Sequence, residues 1–553
     1  MSVMPPSAEP AAPPLRVVRP PRRVAGLGRV DLILMGVLAL LALAVRLPYL
    51  WLVPRFTDET LEVLHSLAIV REGTRPLTNY DSYYGALYNY LVALALVVSD
   101  ESAFAPRVVV LIAGVLTVVA TYLLGLELGR RLGPIVAGVR SPLHPRLVGL
   151  LAAALLATNG PHVVVNSHVA WSNCLTPLLT TLACYFLVRA GRALKSRLLL
   201  PLAGLLLGLA LQTHPLVVTL LPGLALAVVM KNWRVFRSAG PWLAVVMFLV
   251  GYSNVLLFNA DQGLESLRSA QRMQAEYAQD DEASSGYGAT VASMLLLLGR
   301  ILGGAVDQRD SIAAYLLDPG VLLVSVLAVA GVTLLAARRE YVPLFACLSF
   351  LLILTAVNPK FQTLLTTRYL MPIVPLFLVC ALYALVWLAE RARRRRPILE
   401  RRPLLAALMV GLVLAALPLI SLDRYYQRIF ELTDTNARIL RLVDEVQAAR
   451  RPDEELLVDD SIGAELPSTG VTEVRGLAYL LTFAEVPYRT LNPSPGRLQD
   501  SLDTQPTVLA IMNARDAEAA ATRVRVEPLD PRPAVESGRM FDFRLYRLHR
   551  DRA

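Results

Sequence analysis

The sequence predicts a polytopic α-helical membrane protein carrying a small α/β domain at its C-terminal end. Three observations lead there. Of 553 residues, 55% are hydrophobic and only 18% are charged, with a mean hydropathy of +0.51. Apolar runs of membrane-spanning length recur through residues 32–420. Beyond them the runs stop, and a charged segment alternates strand-like and helix-like stretches. The chain thus divides into a basic tail over 1–30, a membrane module over 31–421 and a separate domain over 422–553.

The tail is rich in proline and arginine and lacks aromatics, so it cannot bury enough apolar surface to fold. Its Arg16, Arg19, Arg22, Arg23 and Arg29 assign the N-terminus to the cytoplasm. Span 1 (32–53) is long enough to stay as an uncleaved anchor, and it delivers Arg55-Phe56-Thr57-Asp58-Glu59-Thr60 to the outside. Adjacent carboxylates at a membrane edge are costly, which makes Asp58 and Glu59 the first functional candidates. Thr57 or Asp58 also suits the N-cap of a following helix, and acids favour its first turn. Residues 61–72 have helical periodicity and predict a helix lying along the interface. The apolar stretch 84–98 begins among tyrosines and would reach only about 22 Å as a helix, short of the hydrocarbon core of about 30 Å, so it is not expected to cross.

With 84–98 on the outer side, the later topology is set. Spans 2 (105–127), 3 (147–165) and 4 (173–189) place Arg130, Arg131, Arg140, Arg146, Arg189, Arg192, Lys195 and Arg197 on one side. The run 198–230 is too long for one helix and is divided at Gln212-Thr213-His214-Pro215 into spans 5 and 6. Span 7 (241–259) leaves into an acidic loop, and 291–305 is a second short, non-crossing piece. Spans 8 (318–336), 9 (341–357), 10 (369–389) and 11 (403–420) keep Arg338, Arg339 and the block Arg391 to Arg402 with the other basic loops. About eleven spans with the N-terminus inside and the C-terminal domain outside satisfy the positive-inside rule at every loop. In that domain, Glu455–Val458, Thr507–Met512 and Phe541–Leu548 predict strands, and Thr435–Arg450 and Ala514–Thr522 predict helices. It has no phosphate-binding glycine loop, nucleophile elbow or cysteine pair, and is expected to be a lid or docking domain.

The net charge of +10 reflects arginines in short loops, which excludes nucleic acid as a partner. The four cysteines lie in apolar segments without metal or disulfide spacing and read as packed small hydrophobes. With this topology the loops Asn159–Asn173, Gln212–His214 and Lys360–Arg368 share a face with Asp58 and Glu59. A carboxylate there suits general-base chemistry, and the cations suit a phosphate leaving group. His168, Asn173, His214 and Tyr84 are candidate substrate contacts beside Lys360 and Arg368. His162 and His168 alone do not establish a metal site, although a divalent metal stays open.

The order of these motifs resembles the GT-C glycosyltransferases that use polyprenyl-phosphate sugars, above all glycosyltransferase family 39. That family includes protein O-mannosyltransferases and the aminoarabinose transferase of lipid A. The resemblance rests on Phe56-Thr57-Asp58-Glu59 after span 1, Gly85-Ala86-Leu87-Tyr88, Leu150–Asn159 with the loop to Asn173, Gly204–Thr213, and Arg368-Tyr369-Leu370-Met371-Pro372. It implies an active site on the extracytoplasmic face, a polyprenyl-phosphate-sugar donor, and a lipid, glycan or protein acceptor among membrane lipids. By position, Asp58 is the expected base with Glu59 beside it, and Lys360 and Arg368 are expected at the donor phosphate. The chain departs from the family at Ser167–Asn173, where many members end an arginine-rich loop in Asp; an Asn cannot supply that charge. The rival expectations are a transporter or flippase of lipid-linked sugars and a non-catalytic relative. No half-to-half repeat supports a transporter.

Overall fold

The computed structural model describes residues 26–51, 59–131, 135–136, 139–140, 144–191, 198–279, 286–306, 317–358, 361, 365–395, 402–432, 435–459, 473–491, 505–529 and 543–550. The tail expected over 1–30 therefore lies outside the described residues except for 26–30.

The bundle opens with α1 (Arg29–Arg46), α2 (Glu59–Arg71), α3 (Leu87–Val98) and α4 (Ala105–Arg131). A two-residue ladder, β1 (Ile135–Val136) with β2 (Val139–Arg140), comes after α4. Next come α5 (Pro145–Thr158), α6 (Gly160–Ser167), α7 (Thr176–Ala190), α8 (Leu199–Thr213), α9 (Leu221–Asn232), α10 (Ala239–Gly251) and α11 (Ser253–Asp261). The membrane module closes with α12 (Glu265–Gln279), α13 (Gly286–Leu302), α14 (Pro319–Ala337), α15 (Val342–Val357), α16 (Val374–Arg395) and α17 (Arg402–Leu432). Short 3₁₀ turns at Ser172–Leu175, Pro215–Leu220 and Leu365–Tyr369 precede α7, α9 and α16.

The protein is a multi-pass membrane protein. Among the described residues, six helical stretches have the length and apolarity to cross, and joining the bent pairs α5–α6 (63°) and α10–α11 (62°) raises this to eight. A helix stands at each of the eleven expected spans, but α1, α8 and α15 have only 18, 15 and 16 residues. α1 ends at Arg46, ahead of the expected 53, because Pro48 and a turn come directly after it. The break at Gln212–Pro215 is present: α8 stops at Thr213, and His214 is extended. α17 runs on from the expected end of span 11 to Leu432, so the membrane module passes into the C-terminal segment without a break near 421.

Close helix packing depends on missing side chains. A Cβ at Gly204 or Gly208 of α8 would run into the backbone of α10 at Ala244 or Phe248, and one at Gly251 of α10 would meet α8 in return. Small residues four apart let two backbones approach where lipid offers no hydrophobic drive for association. On the opposite side, Leu405, Met409, Leu412 and Val413 of α17 stay exposed, as lipid-facing positions should.

The basic ends of α4, α5 and α1 meet. Buried Asp31 accepts from Arg146 Nε at 2.7 Å and from the Tyr122 hydroxyl at 2.9 Å. α2 and α3 lie at the other end of α4, where Arg107 meets Glu59.

The C-terminal domain comprises α18 (Thr435–Ala449), β3 (Leu456–Asp459), α19 (Glu473–Phe483), β4 (Tyr488–Leu491), β5 (Thr507–Asn513), α20 (Ala514–Ala521), β6 (Arg525–Pro528) and β7 (Phe543–His549). Its sheet has the order β4-β3-β5-β7-β6. β3 is parallel to β4 and β5, and β7 is antiparallel to β5 and β6. Alternation along β5 serves two cores. Leu509 and Ile511 face one that reaches into the membrane module, whereas Val508, Ala510 and Met512 pack with Ala517 and Ala520 of α20.

The first of those cores takes in the helix expected over 61–72, which the structure forms as α2. Val63 and Leu67 of α2 are buried in a single cluster that also holds Tyr88, Trp171, Leu477 and Leu480. α2 is therefore sandwiched between α3 and α19. The Tyr479 hydroxyl donates to Ala103 O at 2.5 Å, and Arg71 pairs with Glu101 at 2.8 Å while donating to Thr482 O at 3.1 Å.

Candidate active site

The bend between α5 and α6 builds the floor of the site. A helix that turns by 63° leaves carbonyls without their N–H partners. Fully buried Arg46 fills the gap. Its guanidinium donates to Ala157 O at 2.8 Å, Ala42 O at 3.0 Å and Ser167 Oγ at 3.0 Å, and reaches His162 Nδ1 at 2.6 Å. Asn159 caps α6 by accepting from His162 N at 3.1 Å, and its amide donates to Ile301 O at 2.6 Å. α6 then releases the chain into the extended loop 168–171.

Two acids of α2 hold that loop. Glu59, only 2% exposed, accepts from Arg107 Nη2 at 2.5 Å and from Ala170 N at 2.6 Å. Glu62, one turn later, accepts from Ser172 N at 2.8 Å, Ser172 Oγ at 3.3 Å and Asn79 Nδ2 at 2.9 Å. Between these anchors stands Trp171, whose Nε1 donates to Val165 O at 3.1 Å. The Arg368 guanidinium lies over its ring, 4.4 Å from the centroid, in cation–π geometry.

Arg368 also stacks on Tyr369 at 5.2 Å and donates to its hydroxyl at 3.3 Å. A row of rings continues from there: Tyr369 to His214 (5.8 Å), His214 to Tyr84 (5.7 Å) and Tyr84 to Tyr83 (4.4 Å). These rings line a cavity of about 260 Å³ whose other walls include Leu216, Val218, Met273, Ile353 and Val357. His214 Nδ1 accepts from Leu216 N at 3.1 Å, which leaves the proton of a neutral ring on Nε2. Nε2 has no hydrogen-bond partner among the described residues. The close approach that places Tyr84 here depends on Gly85. Its N donates to Gln212 O at 2.8 Å, and a Cβ would come within 2.7 Å of the Gln212 side chain.

The described parts of the three expected loops therefore converge with Glu59, Tyr84, Asn173, His214 and Arg368 at one end of the bundle. Asp58 and Lys360 lie outside the described residues. Asn173 is buried, and its Oδ1 lacks a partner among the described residues. His168, an expected substrate contact, sits against backbone carbonyls. Its Nδ1 is 2.7 Å from Val163 O and its Nε2 3.2 Å from Pro48 O, and a neutral ring can donate to one of the two. Sequence reasoning missed Arg46, Glu62 and Arg107. The only signal for them was a charge inside an apolar run or on a helical face, which carries no partner information. No group of three or more His, Cys, Asp or Glu side chains able to hold a metal occurs among the described residues.

Comparison with solved structures matches this architecture to ArnT from Cupriavidus metallidurans bound to undecaprenyl phosphate. The TM-score is 0.56 at 12% identity, covering 94% of this chain and 97% of that one. The apo ArnT structure matches at 0.55 and 11%, covering 94% and 98%. The chain has the GT-C fold. The match extends through the C-terminal domain, since nearly the whole of each chain is covered. No protein-family model matches the sequence, and no curated protein matches it.

Proposed function

We propose that this protein is an integral-membrane glycosyltransferase that moves a sugar from a polyprenyl-phosphate donor to a hydroxyl or amine of a lipid, glycan or protein acceptor outside the cytoplasm. The observation that carries the reading is the placing of Arg368. It is a guanidinium held on Trp171 and Tyr369, between an acid-anchored loop and an apolar, ring-lined cavity. A cation stacked on Tyr369 of the cavity wall suits an anionic headgroup on an isoprenoid chain. The GT-C fold adds support, because the ArnT it matches was crystallised with undecaprenyl phosphate.

In this reading Asp58 takes the proton of the acceptor. The freed oxygen or nitrogen forms a bond to the anomeric carbon as the bond from that carbon to the phosphate oxygen breaks, with inversion. The electron pair leaves on the lipid phosphate, next to Arg368 and Lys360. Glu59, committed to Arg107 and Ala170, orients the start of α2 and does not take the proton. His214 Nε2 offers a donor to the headgroup, and Tyr84 is a wall of the lipid channel. Asn173 faces the acceptor side.

Asp58→Asn is expected to insert and fold normally and to abolish transfer. Mass spectrometry of surface glycans and lipids, from cells with the wild-type gene, the variant or neither, reads the result. Wild-type levels of modification in the variant would overturn the assignment.

A further inference from the structure

We propose that Glu62 is a positioning residue that locks the acceptor half of the site to the donor half through Trp171. The inference rests on the lipid-phosphate reading above and goes beyond it by naming what sets the place of Arg368.

The geometry is a two-point grip. Trp171 has φ −126° and ψ 159°, an extended backbone. The N–H groups of Ala170 and Ser172, on either side of Trp171, both reach α2. On a helix, residues i and i+3 share a face, so Glu59 and Glu62 present a matched pair of carboxylates. The pairs meet at 2.6 Å and 2.8 Å. Trp171 is thereby clamped on both sides, and its ring becomes the shelf on which Arg368 rests.

Glu62 is itself held from behind. Asn79 donates to it while accepting from Tyr80 N at 2.7 Å. The Asn89 amide bridges Asn79 Oδ1 at 3.0 Å, Ser66 Oγ at 3.1 Å and Glu62 O at 3.0 Å. Such a network fixes a carboxylate in place and tolerates little drift. Through the loop, α2 thus sets the position of the phosphate cation.

The test uses the full-length protein in lipid nanodiscs and undecaprenyl phosphate as the probe, the species common to every sugar carried on that lipid. Binding is titrated for the wild type, Glu62→Gln, Arg368→Gln and the double variant. Each single variant is expected to weaken binding about tenfold, and the double variant to be no weaker than the worse single one, since both lose the same contact. Ser172→Pro serves as a second probe of the grip. It deletes the N–H that Glu62 holds, at the first position of a 3₁₀ turn behind an extended residue, where proline is tolerated. It should reproduce the Glu62→Gln loss, and it keeps the question open to test if that variant misfolds. Wild-type affinity in a folded Glu62→Gln or Ser172→Pro variant, or losses that simply multiply to about a hundredfold in the double variant, would overturn the coupling. A wild-type protein that does not bind the probe would instead overturn the lipid-phosphate reading itself.

Discussion

The pair formed by Glu59 and Arg107 shows how much a single buried contact is asked to do. Both side chains are 2% exposed, so neither charge has water to fall back on. Removing one partner from a buried pair costs about 3–5 kcal/mol, mostly from the charge left behind. Arg107→Met should therefore lower the melting temperature of the detergent-purified protein sharply, and Glu59→Gln in the same chain should recover much of the loss. Unchanged melting in the single variant would show that the pair is dispensable. A second residue-scale prediction concerns pH. Burial pushes the Glu454 carboxyl up, but hydrogen bonds from Arg547 and Arg451 N outweigh it and hold the group below the usual carboxylate range. A carboxyl lowered by folding stabilises the protein above its unfolded pKa, and that contribution fades as pH falls through the lower, folded value. Thermal melts between neutral pH and about pH 3 should thus decline less steeply for Glu454→Gln than for the wild type. Parallel declines would remove Glu454 as a source of the acid sensitivity.

At the scale of elements, broken helices matter more than straight ones. The α5–α6 bend and the stop at His214 each turn a membrane helix into a loop that feeds the site. Irregular backbone at this depth is tolerated only where protein satisfies its polar groups, which is the work of Arg46 at the first break and of Gly85 N and the His214 ring at the second. Helix contacts are equally specific. Gly208→Leu should force α8 from α10 and cost about 1–3 kcal/mol or more, read as a fall in melting temperature. Gly36→Leu, where a Cβ meets nothing within 4 Å, should leave it unchanged. The reverse ranking would contradict this packing. Periodicity and length placed most helices in the sequence to within a few residues, since a long apolar run has one solution in a membrane. They did not show that α2 packs on two sides, between α3 and α19, since such a helix has no single apolar stripe to read.

For the whole molecule, the membrane module and the C-terminal domain share one hydrophobic cluster, from Val163 and Trp171 through Val63 to Leu477 and Leu509. The domain is thus a structural support of α2. The arrangement of charges along the bundle makes a topological prediction. A reporter inserted after Val98 should read out as extracytoplasmic, and one after Arg395 as cytoplasmic. A cytoplasmic signal after Val98 would invert the arrangement and move the site to the wrong side for the proposed chemistry.

Taken alone, the sequence determined the membrane class, the positions of the helices and the principal strands of the terminal domain. These come from hydropathy, period and charge asymmetry, which are properties of short stretches. Only the tertiary structure decided which candidates touch. It paired Glu59 with Arg107, set His168 against backbone carbonyls, and brought Glu62 and Arg368 together around Trp171. Most of those outcomes depend on contacts between residues far apart in the chain, and no local pattern encodes which distant partner a side chain will meet.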